Sequence, residues 1–335
     1  MVLPQQINSS PPSQESALQA PDVSVIVVNY NTGHLLARMF AALDAAKGDL
    51  NLEIIVVDNA STDNSIEILE TQYSNVTLIK SSTNVGFGRA NNQAVSRVHG
   101  RYVLLLNTDA FVATDTLEKT IGFMESHPRC GVLGVKLVGE DGALQPSCRY
   151  FPTPSNVFLQ RTGLSRFFPH TRLVDDMDWD HNSVRACDWV PGCYYLVRSE
   201  IVNRLGLFDP RFFLYYEEVD HCRRVKQAGF DVVYYPDTEV VHIGGESAKT
   251  LNAISKVGRQ ISSLQIESEL LYFRKYYGPS GLIQGVVLSI CADLLSALSS
   301  LLRRRDWRGA STALRHSLTV GRILRATGLA SHPTR

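Results

Sequence analysis

Several familiar signatures are missing from this sequence, and each absence removes a class of protein. The first apolar run is followed by NYNTG rather than GxGxxG, which argues against a dinucleotide-binding dehydrogenase. There is no GxxxxGK(S/T), so a P-loop is out, and no GxSxG nucleophile elbow. None of the six cysteines (130, 148, 187, 193, 222 and 291) pairs at CxxC spacing, so neither a zinc ribbon nor a thioredoxin-type site is expected. Neither sign of charge is in excess, with 33 Lys+Arg against 33 Asp+Glu, which argues against a nucleic-acid partner. Only one stretch is long and apolar enough to be a candidate membrane segment, so a multi-span protein is excluded. Residues 1–21 have no basic start and no apolar run, so they do not read as a signal peptide. They are rich in Pro, Ser and Gln and read as a disordered segment. The cysteines then read as reduced thiols of a cytoplasmic protein.

What is present is a globular composition, 44% hydrophobic and 20% charged over 335 residues. The β-branched or apolar runs 23–28, 52–57, 76–80 and 102–106 alternate with helical patterns, the first running from Gly33 to about Ala46. This alternation predicts an α/β fold with a mostly parallel sheet flanked by helices. Ligands of such sheets bind beyond the carboxyl ends of the strands, where polar clusters sit at 29–33, 58–63 and 107–109. The second half is less regular. Strand-like runs occur at 131–138, 188–197, 231–235 and 238–243, and helical patterns at 199–205 and 218–228. Residues 140–187, with four prolines, read mostly as a long loop of the kind that forms binding segments. The expected organisation is a segment 1–21, a catalytic domain 22–255 and a helical, basic extension 256–335.

The balanced charge hides an asymmetry. Residues 1–250 carry 21 basic and 29 acidic side chains, and residues 251–335 carry 12 and 4. Within 281–302, Ile283, Val287, Ile290, Leu294, Leu298 and Leu301 fall on one helical face, and Ser289, Asp293, Ser296 and Ser300 on another. With Arg303, Arg304, Arg305 and Arg308 following, an amphipathic helix lying on a membrane surface is expected. Packing against the protein itself or a second copy is the alternative, and a true span a third.

Three groups of residues could carry chemistry. Asp58 ends a buried strand, where a carboxylate can accept bonds from a base or ribose; the alternative is a plain turn, with Asp63 capping the next helix. Asp109, in Asn107-Thr108-Asp109, stands where a carboxylate can hold Mg²⁺ or Mn²⁺ beside a diphosphate, or can merely cap a loop. Glu217, Glu218 and Asp220 open a helix directly after five apolar residues, which suggests a partly buried carboxylate with a tuned pKa rather than a solvated first turn. His242 ends a strand before two glycines.

The segments VSVIVVNYN, EIIVVDNASTDNS, NVGFGRANN, LLLNTDA, FDPRFFLYYEEVDHCRR and HIGGES, in this order, resemble the inverting glycosyltransferases of family 2, and most of all their bacterial rhamnosyltransferase branch. The resemblance covers about residues 22–250. It implies a Rossmann-like GT-A fold with a membrane-associated C-terminal extension, acting in cell-surface polysaccharide synthesis. It also implies roles. Asn29 and Asn31 would lie in the first nucleotide loop, with Asp58 at the base. Asn84, Gly86 and Asn91 would line the diphosphate side. Asn107 and Asp109 would form the metal motif, completed by His242. Glu218 would be the catalytic base, with Glu217, Asp220 and Arg224 filling its segment, and Trp189 and Gly192 would face the acceptor. The family's metal motif begins with a carboxylate where this chain has Asn107, its base is usually Asp, and the arginine of its ARN triplet is absent from GRANN, where Arg89 is the candidate substitute. Either Glu217 or Glu218 could then be the base. The implied donor is dTDP-rhamnose, or else a UDP-sugar, and the acceptor a saccharide or polyprenyl-linked glycan. A non-catalytic scaffold subunit and a sugar nucleotidyltransferase remain as alternatives, and a homo-oligomer is left open.

Overall fold

The computed structural model describes residues 20–244, 263–304 and 306–335. The N-terminal segment up to residue 19 and the expected domain boundary at 255–256 lie outside the described residues, as does Gly245 of HIGGES. Ten strands form one sheet: β1 (Val23–Asn29), β2 (Leu52–Asp58), β3 (Thr77–Lys80), β4 (Tyr102–Leu106), β5 (Ala110–Val112), β6 (Cys130–Val138), β7 (Leu144–Gln145), β8 (Arg185–Cys187), β9 (Tyr194–Arg198) and β10 (Asp231–His242). The helices are α1 (Gly33–Ala46), α2 (Ser65–Gln72), α3 (Phe87–Ala94), α4 (Thr116–Ser126), α5 (Pro154–Thr162), α6 (Ser199–Leu205), α7 (Glu217–Gln227), α8 (Ser263–Ser299) and α9 (Trp307–Ala326).

The sheet runs β3-β2-β1-β4-β9-β6-β10-β5. β3, β2, β1 and β4 are parallel, as the β-branched runs predict. β9 then inserts antiparallel to both β4 and β6, so the sheet is mixed. Alternate residues of each strand feed opposite faces. Val23, Val25 and Val27 pack against α1, and Ile26, Ile55 and Val57 against the side that holds α3, α6 and α7. β1 and β2 are in register up to Asn29 opposite Asp58, so both polar side chains arrive at the same carboxyl end.

Three expectations change. Residues 140–187 contain β7, α5 and β8, and only the remainder is loop. The runs 231–235 and 238–243 are one strand, with its register shifted between Tyr235 and Glu239. The run 188–197 becomes a turn followed by β9. α3 ends at Ala94 and closes in a short 3₁₀ turn.

The apolar stretch 281–302 is helical, within α8, whose path kinks at Gly278 (φ 67°) and Pro279. Its orientation is opposite to that of a core helix. Asp293 is buried and accepts from Arg161 of α5 (2.6 Å), Ser317 (2.6 Å) and the His316 ring (2.7 Å) of α9. Arg161 also donates to Ser289 (2.7 Å). The polar face is thus held against the protein, and Ile283, Val287, Ile290, Leu294 and Leu298 face outward.

Candidate active site

At the carboxyl end of β1, Asn29 Nδ2 donates to Asp58 Oδ2 (2.8 Å) and Ser61 Oγ (3.0 Å). Ser61 N–H donates to the other Asp58 oxygen (2.9 Å). Asp58 is fully buried, and both its oxygens are used to shape the 58–63 loop. Asn31 Oδ1 accepts the N–H groups of Thr62 and Asp63 (2.7 and 3.3 Å). Two non-glycine residues of these loops have left-handed backbones, Asn31 (φ 54°) and Ala60 (φ 66°). Such conformations cost roughly 1–2 kcal/mol each and gather where a loop is held for function. Asp63 accepts Ser65 N–H (3.1 Å) and also Gly33 N–H (2.9 Å), so it fastens the starts of α2 and α1 together.

The next loop is joined to the first through amides. Asn59 donates to Asn84 Oδ1 (3.0 Å) and accepts Val85 N–H (2.9 Å), and Gly86 N–H also reaches Asn84 (3.0 Å). Gly86 has φ 87°, and a Cβ there would lie 2.2 Å from the Phe213 carbonyl, so only glycine fits. Asn91 is buried, donates to Phe87 O (3.0 Å), and leaves its Oδ1 without a partner. Arg89, beside the position of the ARN arginine, donates to Pro210 O and Arg335 O and is held in that packing.

Asn107, Thr108 and Asp109 form the turn between β4 and β5. Asn107 N–H donates to Cys193 O, and Thr108 Oγ1 shares a hydrogen with Thr32 Oγ1 (2.8 Å). β5 pairs with β10 so that His242 lies across from Ala110, and His242 Nε2 is 3.6 Å from Asp109 Oδ1. Gln145, 97 residues away, fixes the imidazole. Its Nε2 donates to His242 O (2.7 Å), and its Oε1 accepts from His242 Nδ1 (2.9 Å). Burial lowers the histidine pKa, although Asp109 opposes this. With Nδ1 carrying the proton, the Nε2 lone pair faces a carboxylate oxygen, an arrangement that a cation between them relieves. Asp109 and His242 therefore fit a divalent ion as two protein ligands, with oxygens of a bound diphosphate completing the shell. Among the described residues there is no cluster of three or more metal-ligating side chains.

The carboxylates on α7 divide by face. The chain enters this helix through Tyr215 (φ 69°) and Tyr216 (φ 70°), two consecutive strained residues. Glu217 is enclosed; burial and the Glu218 charge push its pKa well up. Glu218 is half-buried; burial raises its pKa, while the Gly192 backbone N–H and the positive charge of Arg149 pull the other way. The Oε2 atoms of both glutamates are buried without a hydrogen-bond partner.

Two expected site residues are elsewhere. Asp220 is fully buried and accepts from Arg224 Nε (2.9 Å), Tyr276 Oη (2.7 Å) and Lys275 of α8. Arg224 also caps the carbonyls of Leu205 and Leu207 (2.8 and 2.6 Å). Both side chains are held in packing contacts. At 100° per residue, Asp220 lies on the opposite side of α7 from Glu218.

Trp189 is buried, donates to Tyr150 O (2.9 Å), and carries the Arg149 guanidinium 4.0 Å over its ring. Gly192 packs against Phe87; a Cβ there would meet that ring at 3.3 Å. Arg149 is ion-paired with Asp175, and its Nε has no partner. Gln145 and Arg149 are the site residues that sequence reasoning missed. They lie in the proline-rich stretch read as loop, and their partners are 26 to 97 residues away, so no local pattern marks them.

Residues 24–176 match the family described as glycosyl transferase family 2. The chain is 29% identical over 235 residues to N-acetylglucosaminyl-diphospho-decaprenol L-rhamnosyltransferase of Mycobacterium tuberculosis, covering 65% of this chain and 75% of that one. It is 27% identical over 229 residues to rhamnosyltransferase WbbL of Escherichia coli, covering 66% and 83%. Among solved structures, mannosyltransferase PcManGT from Pyrobaculum calidifontis, in complex with GDP-Man and Mn²⁺, superposes with a TM-score of 0.50 at 18% identity, covering 94% of this chain and 89% of that one. That likeness shows a shared fold.

Proposed function

We propose that this chain, which belongs to glycosyl transferase family 2 through residues 24–176, transfers a sugar from a nucleotide-diphosphate donor to a saccharide or lipid-linked acceptor, with inversion. The observation that carries the reading is Glu218, a half-buried carboxylate at the head of α7 with a raised pKa and an unpartnered oxygen. Such a group is suited to general-base work. It takes the proton of the acceptor hydroxyl as that oxygen bonds to the anomeric carbon. The bond from the anomeric carbon to the diphosphate breaks in the same step, and its electron pair leaves with the diphosphate. Base assistance of this kind contributes roughly 10²–10⁴ in rate. Enclosed Glu217 is the more strongly raised of the two.

Asn29, Asn31 and the loop that Asp58 orders form the nucleoside side, and Asn84, Gly86 and Asn91 the diphosphate side. Asn107 shapes the turn, and Asp109 and His242 would hold Mg²⁺ or Mn²⁺, which would neutralise charge on the departing diphosphate. Trp189 and Gly192 lie behind Glu218, on the acceptor side. The names of the two rhamnosyltransferase relatives support rhamnose as the transferred sugar, and the decaprenol in the first of them supports a polyprenyl-linked acceptor; the donor proposed is dTDP-rhamnose, with UDP-sugars next, in cell-envelope polysaccharide synthesis.

The outward apolar face of α8 supports a peripheral position on a membrane. Ser263–Leu302 is long and apolar enough to cross one. Its kink and the Asp293–Arg161 pairing favour lying along the surface. All six cysteines are free, which supports the reducing, cytoplasmic side.

Calorimetric titration with dTDP, UDP and GDP, each with and without Mn²⁺, tests the reading, together with transfer assays. Metal-dependent binding of one nucleotide is expected. Glu218→Gln should bind that nucleotide normally and lose at least 10²-fold in transfer. Binding of none of the three, or near-normal transfer by Glu218→Gln, would count against the reading.

A further inference from the structure

Two adjacent tyrosines with left-handed backbones stand immediately before the Glu217-Glu218 pair. A β-carbon makes that conformation unfavourable, and a tyrosine gains nothing from it by itself. Something must hold it, and the contacts come from α8. Tyr216 Oη donates to Glu269 (3.0 Å), and its ring lies 5.2 Å from that of Tyr272. Ser268 Oγ donates to Leu214 O (2.9 Å). Below them, Lys275 and Tyr276 grip Asp220, and Lys275 also reaches Asp209 (2.8 Å). The same stretch supplies the Phe213 carbonyl that closes on Phe87 N–H (2.8 Å) next to Gly86. The first half of α8 therefore clamps the entry to α7 at Leu214 and Tyr216 and, further along the helix, at Asp220.

We infer that the Tyr216–Glu269 hydrogen bond makes α8 a working part of the catalytic centre, with Tyr216 and Glu269 as positioning residues that aim the Glu218 carboxylate at the acceptor hydroxyl. The inference rests on Glu218 being the base. It gives α8 a second task besides any contact with lipid: its first half aims the base, while the half beyond Gly278 carries the outward apolar face. The positioning role of Tyr216 and Glu269 needs no contact with substrate. Their effect passes through the backbone of residues 215–218, and an error of about 1 Å at a reacting group can lower a rate by about 10²-fold.

The experiment uses the full chain with three substitutions. Glu269→Gln keeps an oxygen to accept the Tyr216 hydroxyl, whereas Glu269→Leu and Tyr216→Phe remove the bond. In the two broken variants kcat should fall about 10–100-fold with donor KM within about two-fold, and Glu269→Gln should restore kcat to near the starting value. A general loss of folding would move KM and kcat together and would not be rescued. Equal kcat in all four proteins overturns the inference, as does a loss that Glu269→Gln fails to rescue. Amide hydrogen exchange at residues 215–219 is read in parallel. If the unsubstituted protein transfers no sugar, the catalytic reading itself fails. The clamp is then judged on exchange alone: faster exchange in the broken variants only is the expected result, and unchanged exchange overturns it.

Discussion

Glu218 is set by its neighbours more than by its own chemistry. Burial raises its pKa, and the Gly192 N–H and the Arg149 charge restrain the rise. The other titratable groups whose electrostatics involve it are Glu217, Tyr215, Tyr195, Cys193 and Cys222. A base acts in its ionised form, and a nearby cation favours that form. Arg149→Met should therefore move the acid limb of the kcat/KM profile to higher pH, and Arg149→Lys should leave it nearly in place; an unchanged limb in Arg149→Met would show that the charge does not reach Glu218. Asp220 makes the opposite prediction. Its buried carboxylate is enclosed by Arg224, Lys275 and Tyr276, so Asp220→Asn leaves two partly buried cations underpaired and should cost about 3 kcal/mol of stability. Denaturant unfolding measures that loss, and a variant as stable as the parent but without transfer would return Asp220 to the chemistry. The sequence marks Asp109, His242 and Glu218 because each ends a strand or opens a helix. It cannot separate Glu218 from Asp220, since a run of three acids in a first turn does not say which side of the helix meets the sheet.

Elements were legible where their pattern is local. α1, β4 and α6 lie where periodicity puts them, because buried β-branched runs and three-to-four spacing need no distant partner. β9 is different: a strand antiparallel to both its neighbours is defined only by residues far away in the chain. α5 was hidden by Pro152 and Pro154, yet the signal was there. Pro154 occupies the first helical position, where no N–H is needed. Thr153 accepts Asn156 N–H (3.1 Å) while Asn156 returns the bond to Thr153 N–H (2.8 Å), and Gly163 closes the helix with φ 68°. Thr153→Ala should therefore cost about 1 kcal/mol. The consequence can be followed beyond the helix, because α5 presents Arg161 to Asp293 and so helps hold α8. Thermal unfolding checks the first effect. A variant with undiminished stability would mean that the cap does not hold α5.

Over the whole molecule, charge and apolar surface point the same way. The excess of basic over acidic residues in 251–335 was legible from composition, as were the two faces of 281–302. Which face turns outward was not, because periodicity fixes the angle between faces and only the Arg161–Asp293–His316 contact selects the inner one. The outcome is a surface of Ile283 (64% exposed), Leu294 (54%), Trp307 (77%) and Leu318 (64%) across α8 and α9, with Arg308, Arg315, Arg322 and Arg325 also exposed on α9. Exposed apolar side chains on this scale fit an interaction surface, and the exposed cations of α9 fit the anionic lipid of the membrane position proposed above. Leu294→Glu with Leu318→Glu should then abolish sedimentation with vesicles containing anionic lipid and leave the unfolding temperature unchanged, since neither side chain belongs to the core. The unsubstituted protein should bind less as salt rises, because screening weakens the cationic share of the attraction and not the apolar share. If it instead sediments as a dimer without vesicles, and the double substitution dissociates that dimer, the face is a contact between two copies of the chain.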